Sequence, residues 1–238
     1  MTVSGAEIKE KAAALGIQIP EGAGELFELH AAMVMEWNQK LNLTRIPPGE
    51  MAEKHFVDSL TLLLVPEVAS ARNTIDVGSG AGFPGIPLKI VKPDMDITLV
   101  DSLGKRVKFL DNVVRYLKLE GISSYHRRAE EMGRDHEHRE QYDVALARAV
   151  APLVLLCEYL LPLVRVGGIV VAMKGPSGRQ EVAEAQRALT VVGGRLQNIV
   201  DTRLPSGDER QLIVISKIKK TPVCYPRRPG MAKKDPLI

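Results

Sequence analysis

Apolar and polar positions follow two different periods along the chain, and the change falls near residue 70. Between residues 21 and 43 the apolar side chains recur at spacings of three and four, at Leu26, Leu29, Met33, Val34, Trp37 and Leu41. This period predicts an amphipathic helix over Glu21 to Leu43. The same spacing predicts a second helix over Gly49 to Leu64. Because isolated helices of this length are marginal in water, both are expected to pack against the rest of the protein.

From residue 73 onward, short β-branched runs alternate with helical segments, which is typical of a parallel sheet with helices on both faces. The predicted strands are Thr74–Val77, Asp96–Val100, Ile122–His126, Tyr142–Ala147 and Ile169–Met173, and the predicted helices lie near Ile86–Val91, Lys105–Leu117, Pro152–Val164 and Arg179–Val192. Two last strands, about Arg195–Arg203 and Gln211–Lys217, are joined by a turn-rich segment that suits an antiparallel hairpin. A doubly wound α/β sheet closed by such a hairpin is the layout of class I methyltransferases.

These patterns divide the chain into three parts. Residues 1–70 form a helical extension, residues 71–220 form the α/β domain, and residues 221–238 form a basic tail. From Lys217 onward there are seven Lys or Arg against Asp235 alone, a charge of +6 that leaves −3 for residues 1–216. Such a segment is typical of an arm that binds a polyanion, and equally of a solubilising tail.

Composition excludes several classes of protein. With 45% apolar and 26% charged residues, a globular domain with a sizeable core is expected. The two cysteines, Cys157 and Cys224, are far apart and lack metal-ligand spacing, so neither a disulfide framework nor a metal site is expected. Residues 1–11 are charged and lack the apolar stretch of a secretory signal, and no apolar run approaches the roughly 20 residues of a membrane span. The expected location is the cytosol.

A glycine-rich loop follows the first predicted strand directly, from Gly78 to Gly85. Glycines let the backbone turn sharply and approach a ligand closely. At the end of the next strand, Asp101 is placed where an adenosine ribose would lie. The same loop satisfies the dinucleotide fingerprint of nucleotide-dependent oxidoreductases, but too little chain follows the sheet for a separate catalytic domain. The pairing of loop and carboxylate therefore favours S-adenosylmethionine over a dinucleotide.

Other polar residues lie where doubly wound sheets bind ligands. Glu130 follows the third strand and could contact an adenine ring or merely cap a helix. Arg148 closes the apolar fourth strand, where a guanidinium is costly unless it is paired or contacts a charged group. His55 and Asp58 could face a substrate or pair within the helical packing, and Lys174 could contact phosphate or remain solvated.

These residues lie within motifs through which the chain resembles the RsmG (GidB) family of bacterial 16S rRNA guanine-N7 methyltransferases. The resemblance spans nearly the whole chain and depends on five motifs: Asn38 with Leu41–Thr44, His55–Phe56 with Asp58–Leu60, Asp76–Pro87, Ala147–Ala149 and Tyr225–Gly230. The glycine loop alone is typical of many methyltransferases. The loop, the Ala-Arg-Ala strand end and the proline-rich tail together are far more selective.

The resemblance implies a set of roles. Gly78, Gly80 and Phe83 would line the S-adenosylmethionine pocket, Asp101 would hold the ribose, Ala129 and Glu130 would contact the adenine side, and Arg148 would lie beside the donor and be the catalytic residue. The implied reaction methylates guanine N7 in the 530 loop of 16S rRNA (position 527 in the usual bacterial numbering), as free RNA or in the 30S subunit. A monomer without an obligate protein partner is expected.

Three alternatives remain at this stage. The first is a methyltransferase for another RNA, a protein or a small molecule, although the first 70 residues alone could supply the lid that a small substrate needs. The second is an RNA-binding module without turnover, in which loss of Gly78, Gly80 or Asp101 would be expected, yet all three are present. The third is the oxidoreductase considered above.

Overall fold

The computed structural model describes residues 3–238. Seven strands form one sheet: β1 (Asn73–Val77), β2 (Asp96–Asp101), β3 (Ile122–His126), β4 (Tyr142–Arg148), β5 (Val164–Lys174), β6 (Gly194–Arg203) and β7 (Glu209–Lys217). Their spatial order is β3-β2-β1-β4-β5-β7-β6. The first five strands pair in parallel, and β7 runs antiparallel to both β5 and β6. The predicted mostly parallel sheet with a C-terminal antiparallel hairpin is confirmed.

Helices cover both faces of this sheet. They are α1 (Gly5–Ala13), α2 (Ala23–Leu41), α3 (Asp58–Leu60), α4 (Pro66–Ala69), α5 (Gly85–Val91), α6 (Gly104–Tyr116), α7 (Ala129–Met132), α8 (Leu153–Leu160), α9 (Gly178–Glu184), α10 (Gln186–Val192) and α11 (Met231–Lys234). The predicted helix over Pro152–Val164 is too long, because its last residue already begins β5. The predicted helix over Arg179–Val192 is two helices that meet at Ala185, which leaves the helical conformation at φ −91° and ψ 2°.

The largest departure from the predicted elements lies in residues 48–64. A single regular helix was expected over Gly49–Leu64, and that prediction is wrong in detail. A 3₁₀ turn at Pro48–Glu50 leads into a π-helix over Ala52–Val57, and α3 then passes into a second 3₁₀ segment. The hydroxyl of Ser59 donates to the His55 carbonyl at 2.6 Å, an additional bond of the type that often bends helices. Single π-helical turns are frequent at functional sites, and this one carries His55.

The N-terminal helices share a core with one face of the sheet. Phe27 from α2, Phe56 from the π-helix and Phe109 from α6 are completely buried in one continuous apolar cluster. The N-terminal helices and the α/β domain thus share one apolar cluster. A second cluster on the opposite face joins α8, α9 and α10 to the sheet. Within residues 3–238, no helix has the length and hydropathy to cross a membrane.

Candidate functional site

The glycine loop after β1 is fixed to the end of β2 by hydrogen bonds. Gly78 has φ +78°, a conformation that glycine adopts without strain, and its N–H donates to the Val100 carbonyl at 2.7 Å. The N–H of Gly80 donates to Oδ2 of Asp101 at 3.0 Å, and the N–H of Leu103 donates to Oδ1 at 2.9 Å. The carboxylate of Asp101 is therefore buried and held in one orientation beside the loop.

A narrow crevice of about 160 Å³ opens beside this loop. It is lined by Val77, Gly78, Val100, Ser102, Arg127, Arg128, Ala129, Glu130, Val150 and Tyr159. A Cβ atom at position 78 would lie 2.6 Å from Cγ2 of Val150, so only glycine fits there in this arrangement. The structure thus brings together Gly78 from the loop after β1 with Ala129 and Glu130 from α7. We name this cavity the adenosine crevice.

Glu130 does not cap α7. Its neighbour Glu131 takes that place, since the N–H of Arg128 donates to Oε2 of Glu131 at 2.9 Å. Oε1 of Glu130 instead accepts a hydrogen bond from the N–H of Gly230 in the C-terminal tail, at 3.1 Å. The side chain of Glu130 is therefore both part of the crevice wall and a contact of the tail.

Asp76 lies in β1 beneath the loop and was not among the predicted site residues. Its side chain is completely buried, and Oδ2 accepts from the N–H of Gly85 at 3.0 Å. Oδ1 has no hydrogen-bond partner within residues 3–238. Burial raises the pKa of Asp76 to about 7, against the lowering effect of the Gly85 and Ser79 bonds. The sequence signal is an acid within a β-branched strand that ends in a glycine loop.

Phe83 does not line the adenosine crevice. Its ring is buried and stacks on the imidazoles of His30 and His55, with ring centroids 4.7 Å and 4.3 Å apart respectively. Nε2 of His30 lies 2.8 Å from the Ala81 carbonyl, and burial lowers the pKa of His30 to about 4, so the neutral ring donates this bond at pH 7. His30 therefore ties α2 to the glycine loop. The feature of the sequence that could have identified His30 is a polar residue on the apolar face of α2.

Arg148 at the end of β4 is paired with the N-terminal helices. Its Nη1 donates to Oδ2 of Asp58 and to the Lys54 carbonyl, both at 3.1 Å, and its Nη2 donates to Nδ1 of His55 at 2.9 Å. The expectation that this guanidinium needs a partner is met by Asp58, which is 5% exposed and also accepts from Nε of Arg210 at 2.7 Å. The Nε–H of Arg148 has no acceptor within residues 3–238.

His55 connects Arg148 to a loop that follows α2. Burial and the neighbouring Arg148 charge lower the pKa of His55 to about 3, so the ring is neutral and accepts at Nδ1. A neutral ring that accepts at Nδ1 carries its proton on Nε2, which donates to Oγ1 of Thr44 at 2.7 Å. Asn38 clamps Thr44 through two backbone bonds, at 2.9 Å and 3.0 Å. The structure shows His55 and Asp58 paired within the packing, and both residues also line the cavity that contains Arg148.

A second, larger cavity of about 940 Å³ opens at the same edge of the sheet. We name it the basic cavity, since six of its lining residues are cationic (Arg45, Lys54, Arg106, Arg148, Lys174 and Arg210) and Asp58 is the one acidic residue in its lining. Lys174 is neither solvated nor free, because it pairs with Glu181 and donates to the Ala151 carbonyl, each at 2.7 Å. Arg45 is exposed and forms no ion pair with any residue in the described range.

The residues around the adenosine crevice fit an adenosyl sulfonium donor. The buried carboxylate of Asp101 retains acceptor capacity on Oδ1, which accepts one bond only. At Gly78 the absence of a side chain leaves a space that a Cβ atom would fill. Arg148 lines the neighbouring basic cavity. A hydroxyl-bearing sugar and an apolar ring are the ligand groups that such a surface accommodates.

The strand order and the loop after β1 are those of the class I methyltransferase fold. A family model described as GidB, rRNA small subunit methyltransferase G, matches residues 24–213. The chain belongs to this family, which decides against the oxidoreductase.

Curated relatives agree with this assignment, and solved structures share the fold. Ribosomal RNA small subunit methyltransferase G of Desulforamulus reducens is 46% identical over 232 residues, 97% of either chain. The protein of the same name from Pelotomaculum thermopropionicum is 46% identical over 239 residues, the full length of both. The methyltransferase SibL is similar in structure, with a TM-score of 0.52, 14% identity and coverage of 68% of this chain and 55% of that one. TrmN of Thermus thermophilus is similar with a TM-score of 0.51 and 18% identity, over 68% of this chain and 48% of that one. Both structural likenesses show the fold alone.

Proposed function

We propose that this methyltransferase transfers the methyl group of S-adenosylmethionine to N7 of a guanine in the 530 loop of 16S rRNA. The observation that carries the proposal is the placement of a basic cavity beside the adenosine crevice, at the carboxyl edge of the sheet. The cavity is large enough for a nucleotide, and its cationic lining suits phosphate. The 46% identity to proteins named ribosomal RNA small subunit methyltransferase G supports an rRNA substrate.

The donor would be held by residues at or after the ends of three strands, β1, β2 and β3. Gly78 and Gly80 allow close approach of the backbone, Asp101 offers its carboxylate to the ribose, and Ala129 and Glu130 form the adenine side. Phe83 would not contact the donor directly. Its ring would support the glycine loop by stacking on His30 and His55. When bound, the donor supplies an electrophilic methyl group on a sulfonium sulfur.

The chemistry requires alignment of the acceptor and no general base. Guanine N7 carries an in-plane lone pair and no proton, so attack on the methyl group can proceed in line. The two buried histidines near the loop suit this requirement, because burial lowers the pKa of His30 to about 4 and that of His55 to about 3, which makes both rings weak bases. Proton abstraction is therefore not a step of the proposed reaction.

Arg148 is the proposed catalytic residue. Asp58, His55 and the Lys54 carbonyl fix its guanidinium from one side, and its Nε–H remains available for a ligand. Such a donor can bind O6 of the guanine or the carboxylate of S-adenosylmethionine. Because its partners belong to the N-terminal helices, those helices would set its position.

The proposed setting is the cytoplasm, where ribosomal RNA is found, with the protein acting as a monomer on free 16S rRNA or the 30S subunit. The test is incubation of the protein with labelled donor and undermethylated substrate, followed by mapping of the modified guanines. We expect a single methylated N7 in the 530 loop. Methylation at another base, or of a small molecule only, would overturn the assignment.

A further inference from the structure

The first half of the C-terminal tail, residues 221–238, is bonded to the α/β domain at several points. Nη1 and Nη2 of Arg139 donate to the carbonyls of Tyr225 and Thr221 at 2.8 Å and 2.7 Å. Nε of Arg134 donates to the Pro226 carbonyl at 2.7 Å. In these bonds arginines of the domain bind carbonyl groups of the tail. An arm that served only to bind phosphate would be free of the domain and would make its contacts with the RNA.

One arginine of the tail is itself anchored in the domain. Arg227 makes a two-pronged ion pair with Glu158 of α8: Nε lies 3.0 Å from Oε1 and Nη2 lies 2.8 Å from Oε2, and the backbone N–H of Arg227 adds a bond of 2.7 Å to Oε1. Glu158 is 1% exposed, so its carboxylate depends on Arg227 for compensation. The next residue, Arg228, is exposed and forms no ion pair within residues 3–238.

Three residues beyond this anchor, the tail reaches the wall of the adenosine crevice. The N–H of Gly230 donates to Oε1 of Glu130 at 3.1 Å, and Glu130 is 6% exposed. Tyr159, which follows Glu158 in α8, lines the same crevice. The ion pair is thus linked to the crevice wall in two ways: through tail residues 227–230, and through the adjacent residues Glu158 and Tyr159 of α8.

We propose that Arg227 is a positioning residue for the methyl donor: its pair with Glu158 anchors the tail so that Gly230 holds the carboxylate of Glu130 at the adenine side of the crevice. The inference depends on the proposed function, since it takes Glu130 to face the donor. It assigns the Tyr225–Gly230 motif to donor binding and leaves RNA contact to the exposed cations of the tail. Without Arg227, the carboxylate of Glu130 would lose its orientation. The basic cavity would be unaffected, because no residue of the tail lines it.

Arg227→Gln and Arg228→Gln form a matched pair, because each removes one positive charge from adjacent residues of the same tail. We expect Arg227→Gln to raise the Kd for S-adenosylmethionine by about tenfold in isothermal titration, and to raise the KM for the donor with kcat and the KM for 16S rRNA within about twofold. Arg228→Gln should leave the Kd for the donor within about twofold of the parent value. Arg227→Lys, which keeps the charge and loses the fork, should lie between the two.

Titration stoichiometry separates positioning from misfolding, because a partly unfolded sample lowers the number of sites without changing the Kd. The nucleoside 5′-methylthioadenosine is a second probe, and its Kd should rise in Arg227→Gln by the same factor as that of the donor. An unchanged donor Kd in Arg227→Gln, or an equal loss of RNA affinity in both variants, would overturn the inference. If the parent protein failed to bind the donor or to methylate 16S rRNA, the proposed function would fail instead.

Discussion

The adenosine crevice and the basic cavity open at the same edge of the sheet, yet they are built by different means. The crevice is lined largely by uncharged residues from consecutive strand ends, and its one buried acid, Glu130, is bonded to the backbone N–H of Gly230. The basic cavity is formed by long charged side chains from six separate segments of the chain, and two of them, Arg148 and Arg210, pair with the buried carboxylate of Asp58.

This difference indicates how the two ligands would be recognised. A cofactor of fixed shape is matched by backbone geometry, which tolerates few substitutions at a position such as Gly78. A large anionic substrate is matched by charge, which is spread over several residues and is individually weaker. Substitutions in the crevice should therefore act on the donor alone, and substitutions in the cavity should act on the RNA or on turnover.

The largest effect is expected at Arg148, where the two cavities meet. Arg148→Ala should lower kcat by on the order of a hundredfold, because the group that aligns donor and acceptor is removed. Asp58 keeps Arg210 as a partner, so the fold should remain. Single-turnover methylation of 16S rRNA measures the effect. Arg165→Ala, which breaks an exposed pair with Asp143 at the opposite edge of the sheet, is the control. A near-normal rate in Arg148→Ala would remove its catalytic role.

The buried acid beneath the crevice predicts a pH dependence of stability. The pKa of Asp76 is raised to about 7 in the folded protein, above its unfolded value, so the stabilising protonated form is present at low pH and is lost as pH rises through 7. Relative to Asp76→Asn, the parent protein should therefore lose about 2 kcal/mol of unfolding free energy between pH 5 and pH 8. Urea unfolding of both proteins across this range measures it. Parallel curves would show that Asp76 carries no such shift.

A smaller effect is expected from a single added methyl group at the glycine loop. Gly78→Ala should weaken donor binding by about tenfold, because the new Cβ meets Val150 and the residue must keep φ +78°. Gly207→Ala is the matched control, since Gly207 has φ +96° with nothing within 4 Å of its Cβ position. Titration with S-adenosylmethionine distinguishes the two. Equal donor affinity in both variants would mean that crowding at position 78 does not matter.

The smallest effect is expected at the unpaired cation of the basic cavity. Arg45→Ala should lower RNA affinity a few-fold and reduce the slope of log Kd against log salt by about one. Arg195→Ala removes an exposed arginine from the start of β6, at the opposite edge of the sheet, and should change neither quantity. Filter binding of 16S rRNA at several salt concentrations measures both. If the two variants had the same slope, the cavity would not be the phosphate contact.

Local patterns were sufficient for much of the sheet. The alternation of strands and helices predicted the seven strands and the terminal hairpin, because each element carries its own period and turn residues. The glycine loop and Asp101 were also predicted together, since the ends of neighbouring parallel strands must lie at one edge. Element ends were less certain: β5 begins at Val164, five residues before the predicted start.

The irregular helix over residues 48–64 could not be predicted from its apolar pattern. Three- and four-residue spacings are common to α, π and 3₁₀ turns over so short a stretch, and the choice among them depends on what the helix packs against. Here the π-helix brings His55 and the Lys54 carbonyl to Arg148. The sequence predicted that Arg148 needs a partner, and the structure has one. That partner, Asp58, lies 90 residues earlier in the chain, so the sequence did not identify it.

The sequence by itself determined the doubly wound sheet, the family and the glycine loop after the first strand, because these depend on hydrophobic period, turn chemistry and short motifs. Only the tertiary structure decided which charges are paired: Arg148 with Asp58 and His55, and Arg227 with Glu158. The physical reason is that burial and pairing of a charge depend on groups distant in the chain, and a single sequence does not record which of them meet.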